Sequence, residues 1–213
     1  MRPSRHLVLF LRAPRLGRVK SRLAAGIGAL AALRFYRLVS ERLLRDLGCD
    51  PRWRCHLCVT PDRAVRGRRP WRVAAHYRAQ GGGDLGERMA RVFRSLPPGP
   101  AVIIGSDIPA MTRAHVAGAF AALGGSEAVL GPAEDGGYWL IGLRRRPRVP
   151  WPLLRDVRWS SPDALADTLK GLPRGMSLAM LETLEDVDDA AAYRRWLSAR
   201  RASDAPAAAA SAR

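Results

Sequence analysis

Chemistry can be drawn around Asp107. It follows Ala101-Val102-Ile103-Ile104-Gly105-Ser106 and precedes Ile108-Pro109. The apolar run reads as a strand buried on both faces. Gly105 lets the chain turn, and Pro109 ends any ladder. A carboxylate just past the carboxyl end of such a strand stands where open α/β sheets bind ligands. It suits a divalent metal that carries phosphate oxygens. The bland alternative is a turn or cap residue ahead of a helix that opens near Thr112.

A second group of candidates follows the aliphatic run Leu7 to Leu11. Arg12-Ala13-Pro14-Arg15-Leu16-Gly17-Arg18-Val19-Lys20-Ser21-Arg22 puts a proline, a glycine and several cations directly after a strand. Backbone amides and cations in that position can meet anionic oxygens. The chain has lysine only at Lys20 and Lys170, so a lysine in this loop is conspicuous. The glycine-lysine-serine/threonine ending of a P-loop is missing. The alternative is a solvated basic loop.

Three further stretches can be read functionally or structurally. In Gln80-Gly81-Gly82-Gly83-Asp84-Leu85-Gly86-Glu87 the glycines permit close approach of a ligand. Asp84 and Glu87 also have the spacing of a helix capping box. Gly131-Pro132-Ala133-Glu134-Asp135-Gly136-Gly137-Tyr138 offers two acids, but Asp-Gly is also a hairpin signal. Glu185-Asp186-Val187-Asp188-Asp189 is an acid cluster ahead of a helix, which is stabilising in any protein. Cys55-His56-Leu57-Cys58 has the spacing of a zinc knuckle, yet no second pair completes four ligands. It lies in an apolar stretch, where free cysteine behaves as a small hydrophobe, so no zinc is expected.

The elements that must position these residues alternate. Strands are expected at Leu7 to Leu11, Trp53 to Thr60, Trp71 to Tyr77, Ala101 to Ile104, Ala128 to Leu130, an apolar stretch after Trp139, and Leu178 to Leu181. Helices are expected at Ala29 to Leu47, after an Asp84 cap to Leu96, Thr112 to Leu123, after a Trp159 to Asp163 cap to about Lys170, and Ala190 to Leu197. Arg144 to Trp151 reads as a connector. This order predicts an α/β three-layer sandwich around a mostly parallel sheet. Residues 1–199 are expected to form one domain, and 200–213 a disordered Ala/Arg-rich tail.

Composition narrows the function classes. The 213 residues carry a formal charge of +17. Arginine is spread along the whole length and no nucleic-acid-binding signature occurs, so phosphorylated small molecules are the expected anionic partners rather than nucleic acid. No apolar run reaches the length of a membrane span. The basic start and short apolar run at the N-terminus lack a cleavage site and read as a first strand, so a cytoplasmic location is expected.

GRVKSRL, GDLGERM, GSDIP, GPAEDGGYWLIGL and EDVDD occur in that order. Together they resemble the small bacterial nucleotide-diphospho-sugar transferases of GT-A fold, many labelled as arsenosugar-biosynthesis-type glycosyltransferases. The match runs from about Leu7 to Leu197. The KSRL tetrapeptide is also similar to the loop of the phospholactate guanylyltransferases, which share the fold. The resemblance implies that Arg12, Ala13, Gly17, Arg18, Lys20 and Arg22 hold the nucleotide, with Asp84, Gly86 and Ser106 closing its side. It implies Asp107 and Asp188 as ligands of Mg²⁺ or Mn²⁺. Ser106 stands where many such enzymes carry a second acid. Glu134, Asp135, Gly136, Gly137 and Tyr138 would line the sugar or acceptor side, with Asp135 as base and Glu134 in reserve. Lys20 would join Asp135 as a catalytic group.

The implied activity is glycosyl transfer from a nucleotide sugar to a small acceptor. Nucleotidyl transfer from a nucleoside triphosphate, with release of pyrophosphate, uses the same parts. A non-catalytic nucleotide-binding module is the third possibility.

Overall fold

A computed structural model of the chain describes residues 4–66, 69–73, 75–145 and 153–204. In chain order the elements are β1 (His6–Arg12), α1 (Ser21–Ile27), α2 (Ala29–Gly48), β2 (Arg54–Thr60), β3 (His76–Ala79), α3 (Leu85–Ser95), β4 (Ala101–Ile104), α4 (Arg113–Gly125), β5 (Ala128–Pro132), β6 (Tyr138–Leu143), α5 (Ala164–Gly171), β7 (Leu178–Met180) and α6 (Ala190–Asp204).

The strands form one sheet in the order β3-β2-β1-β4-β6-β5-β7. β1 runs parallel to β2 on one side and to β4 on the other. β6 alone opposes its neighbours, pairing antiparallel with β4 and with β5. The chain therefore moves outward from β1 through β2 to β3, then returns across β1 to β4. That reversal opens a crevice at the carboxyl ends of β1 and β4, the place where ligands enter such sheets.

Alternation along β1 sorts its side chains into two cores. Leu7, Leu9 and Leu11 join Leu43, Leu44 and Leu47 of α2, Val116 and Phe120 of α4, and Ala192 of α6. Val8 joins Met89 and Phe93 of α3, with Leu165 of α5 packed beside them. Two helical layers thus cover a central sheet, as the sequence predicts. Each fully buried Leu, Ile or Phe contributes about 1.5–3 kcal/mol relative to exposure, so both layers hold the strand ends in place beneath the crevice. All four residues of β4 are buried, in keeping with a strand covered on both faces.

Several boundaries differ from the expected ones. The loop after β1 ends in a short helix, α1, whose Leu23 is buried in the first core. The third strand is His76–Ala79 rather than Trp71 to Tyr77. Trp71 is buried instead, with its indole N–H donating to Ser40 of α2, so it packs as an anchor outside the ladder. α6 runs on to Asp204, through the first residues expected to be disordered. Arg200 lies over the Trp196 ring, a cation–π contact that favours helix at this point. Residues 205–213 and most of the connector Arg144 to Trp151 lie outside the described residues. No described helix is long and apolar enough to cross a membrane.

Candidate active site

Three segments converge on the crevice. The loop after β1 is fixed from beneath by Tyr36 of α2. The Tyr36 hydroxyl donates to the Arg12 carbonyl at 2.7 Å and accepts from the Arg12 N–H at 2.9 Å. Burial pushes the phenol's pKa up, so it remains a neutral donor. The Arg12 guanidinium donates to the Arg18 carbonyl at 3.3 Å and closes the loop on itself. The loop ends at Lys20, whose backbone is left-handed at φ 50° and caps α1. A non-glycine residue held there costs about 1–2 kcal/mol. Here that conformation accompanies a side chain turned into the crevice.

The second segment is the turn after β4, carrying Ser106 and Asp107. The third comes from late in the chain. Beyond β7, Leu184 donates its N–H to the Pro132 carbonyl at 3.1 Å, and Glu134 donates back to Leu184. The segment then crosses to β4, where the Val187 N–H donates to the Asp107 carbonyl at 3.0 Å. This main-chain bond fixes Asp186 and Asp188 beside Asp107.

Lys20 lies among them with its side chain 4 % exposed. Its ammonium is 2.6 Å from Asp107 Oδ1. It donates to Asp188 Oδ1 at 2.6 Å and to the Val187 carbonyl at 2.9 Å. Burial alone would lower its pKa, but the two carboxylates outweigh burial and the net shift is upward. Asp186, half-buried in the same wall, moves the other way from its usual state. Burial first, then the charges of Asp135 and Asp188, push its carboxyl up to about 6.

The cleft encloses about 600 Å³ and is lined by Arg12, Arg18, Lys20, Arg22, Ser106, Asp107, Asp135, Gly137, Tyr138 and Asp188, all anticipated from the sequence. Asp135 Oδ1 accepts from the Gly137 N–H at 2.8 Å, so the hairpin reading of Asp-Gly and the site reading both hold locally. Tyr138 faces Trp159, and its phenol pKa is raised by burial.

Other anticipated residues sit elsewhere. Asp84 is committed to the α3 cap, where Asp84 Oδ1 accepts from the Glu87 N–H and the Glu87 carboxylate returns to the Asp84 N–H. Gly86 is buried beneath the Leu154 carbonyl and the Trp159 ring. A side chain there would collide with both, so the glycine permits helix packing. Ala13 is buried and donates its N–H to the Thr60 carbonyl. Gly17 serves the turn with φ 68°. Gly136, at φ 84°, packs against Pro162. Glu134 is exposed and lies outside the lining.

Sequence reasoning did not single out Asp186, Gln80, Arg88 or Trp159, all of which line the cleft. Asp186 belonged to an acid cluster that helix capping explained as well. Trp159 is brought over by a segment whose path no local pattern gives. Cys55 and Cys58 are free and buried, and burial raises both thiols to about 12. They are inert core residues.

The donor chemistry at Asp107 and Asp188 fits Mg²⁺ or Mn²⁺, since both are hard oxygen ligands held on one point by a main-chain bond. Among the described residues no three histidines, cysteines or acids form a closed metal cage. A cation here would take two carboxylates and draw its other ligands from phosphate and water, the usual habit of Mg²⁺.

A mostly parallel sheet with a reversal at β1 and β4, a basic loop at one rim and paired acids at the other define a chain of the nucleotide-diphospho-sugar transferase fold. A solved protein from Desulfovibrio desulfuricans G20, described as a candidate nucleotide-diphospho-sugar transferase, superposes with a TM-score of 0.78 at 29% identity, over 87% of this chain and 82% of that one. The chain belongs to the family described as "Uncharacterized protein conserved in bacteria (DUF2064)", which matches residues 43–161. The inositol-1-phosphate CTP transferase of T. maritima is similar with a TM-score of 0.57 at 13% identity, over 97% and 98% of the two chains. Rv0371c of Mycobacterium tuberculosis H37Rv, solved in complex with manganese, gives 0.54 at 15% identity over 92% and 98%. These last two share the fold. No curated protein matches the chain.

Proposed function

We propose that the chain is a metal-assisted transferase acting on a nucleotide-activated donor, and that it transfers a sugar from a nucleoside-diphosphate sugar to a small acceptor. The observation that carries this is the meeting of Lys20, Asp107 and Asp188 in one cleft, with Arg12, Arg18 and Arg22 on its rim. A cluster of cations beside paired carboxylates matches a diphosphate together with its cation. The Desulfovibrio relative, at 29% identity, supports the donor class.

The roles follow from position. Arg12, Arg18 and Arg22 bind and orient the diphosphate, and positioning supplies much of the acceleration. Asp107 and Asp188 would hold the cation, which would supply Lewis-acid neutralisation of charge on a departing diphosphate. Asp135 holds one oxygen on the Gly137 N–H and keeps the other to accept the acceptor's proton. Tyr138 and Trp159 form an aromatic wall that shields that side of the cleft from water.

A thermal-shift panel of nucleotides with Mg²⁺ or Mn²⁺ tests the reading. A ligand bound only by the native state at 100 times its Kd adds about 2.7 kcal/mol, a rise of roughly 5–10 °C for a chain of this size. Nucleoside diphosphates and nucleotide sugars should give the largest rise, and the metal should enlarge it. Product analysis then separates glycosyl transfer, which releases a nucleoside diphosphate, from nucleotidyl transfer, which releases pyrophosphate. No response to any nucleotide would overturn the proposal.

A further inference from the structure

We propose that Lys20 and the divalent cation exchange on the Asp107–Asp188 pair: the cation displaces the Lys20 ammonium, and the freed ammonium turns to the diphosphate. This rests on the reading of the cleft as a metal-and-diphosphate site.

An ammonium has three N–H donors and no acceptor. Those of Lys20 face Asp107 Oδ1 at 2.6 Å, Asp188 Oδ1 at 2.6 Å and the Val187 carbonyl at 2.9 Å. None is left for a phosphate oxygen. Lys20 therefore cannot hold the carboxylate pair and a diphosphate at once. A cation on the pair would share these carboxylates with the ammonium and would lie close to it, where like charges repel.

The two arrangements are separable because the carboxylates do not depend on the lysine for their position. The Val187 N–H to Asp107 carbonyl bond joins the two segments through the main chain. Lys20, by contrast, reaches the pair with a flexible four-carbon stem. Swinging that stem moves the charge by several ångströms without shifting α1. Arg22, whose guanidinium is 3.9 Å from Asp188 Oδ2, stays available on the rim in either state.

The exchange makes the empty pair self-neutralised. Free metal ion meets a competitor already in place, so the cation binds weakly alone and better when a diphosphate rewards the displaced ammonium. Reciprocal coupling of this kind typically amounts to about 5- to 150-fold in affinity.

Two measurements test it, both on the whole chain without nucleotide. In the first, Mn²⁺ alone is titrated calorimetrically into the wild type, Lys20→Met and Lys20→Arg. Lys20→Met should bind about tenfold or more tightly than wild type, and Lys20→Arg, which keeps the charge, should not. The second needs no variant. The only lysines are Lys20 and Lys170, so amine acylation read by mass spectrometry reports Lys20 against an internal reference. Saturating Mn²⁺ should raise Lys20 labelling several-fold and leave Lys170 unchanged. Mn²⁺ binding that leaves Lys20 labelling unchanged, or equal affinity in wild type and Lys20→Met, would overturn the exchange while leaving the metal site standing. Absence of Mn²⁺ binding to the wild type and to Lys20→Met alike would overturn the metal reading together with the exchange.

Discussion

The Lys20 ammonium donates to Asp188 at 2.6 Å across 168 residues of sequence. The bond ties the first loop of the sheet to the segment just ahead of the last helix, over the carboxyl end of β4. The site is therefore assembled by the native fold alone. Charge, loop and acids lie far apart in the chain, and closing such a distance is worthwhile only once the sheet order has brought β1 beside β4.

Asp107→Asn should nearly abolish turnover and leave the fold intact, with a modest fall in melting temperature because the buried Lys20 ammonium keeps Asp188 and the Val187 carbonyl as partners. The substitution keeps shape but removes one carboxylate charge from the Lys20 cluster and from any bound cation. The Asp107 side chain is 48 % exposed, so little packing depends on it, and the backbone bond from Val187 is untouched. A loss of about 100- to 1000-fold in kcat is the scale for removing an electrostatic stabiliser of a developing anion. Steady-state kinetics at saturating Mg²⁺ check it, and wild-type turnover would remove Asp107 from the site.

Asp135→Asn should lower kcat by about 100-fold or more, the usual contribution of a positioned base, with the donor Kd unchanged. The amide oxygen of Asn can still accept from the Gly137 N–H, so the turn survives. Turnover falling together with the melting temperature would mark Asp135 as structural instead. Calorimetry of donor binding beside the kinetics separates the two.

How much of this was legible in the sequence depends on the range of the interaction. The strand Ala101 to Ile104 announces itself by an unbroken apolar run, and its four residues are buried as expected. The Asp84–Glu87 capping box was readable because its partners are three residues apart. Lys20 and Asp107 were each visible as candidates. Their contact was not, because it depends on which strand returns beside β1. Asp186 was hidden by the same long range: its raised pKa comes from burial and from Asp135 and Asp188, and only folding sets these around it. The packing role of Gly86 was hidden for a different reason. Its motif looked like a ligand loop, while the atoms that need a glycine belong to Leu154 and Trp159.

Gly86→Ala should destabilise the protein without a specific loss of nucleotide affinity. Helix propensity favours alanine by about 1 kcal/mol. Against that, the new methyl meets the Leu154 carbonyl and lies 2.8 Å from the Trp159 ring, and neither backbone nor indole gives way cheaply. Overpacking of this kind costs about 1–3 kcal/mol, so a net fall of several degrees in melting temperature is expected at most. Nucleotide affinity reduced at an unchanged melting temperature would restore Gly86 to the binding site.

Acid should destabilise the fold through His6 and His56, at the end of the sheet away from the cleft. Both are buried, and His6 Nδ1 lies 3.1 Å from His56 Nε2, so one ring donates and the other accepts. His6 Nε2 and His56 Nδ1 have no partner. Charging both rings would set two N–H groups against each other in an apolar core. A backbone contact to Pro98 favours the charged form of His6, but the charged groups that act on the pair are cationic: Arg54 and Arg78 on both rings, Arg145 on His6, and His6 itself with His76 on His56. Burial, then these charges, hold His56 down to about 3 and lower His6 as well. The sign follows from proton binding. Unfolded histidine takes up its proton near pH 6.5, whereas native His56 does so only near pH 3. Stability from this group is therefore full above pH 6.5 and is lost progressively as the pH falls toward 3. At pH 5 the loss from His56 is on the order of 2 kcal/mol. Urea midpoints at pH 7.5 and 5.0 check the wild type, and His6→Leu/His56→Leu, which replaces both partners with apolar groups, should lose most of that difference. A double variant with the wild-type dependence on acid would place the sensitive groups elsewhere.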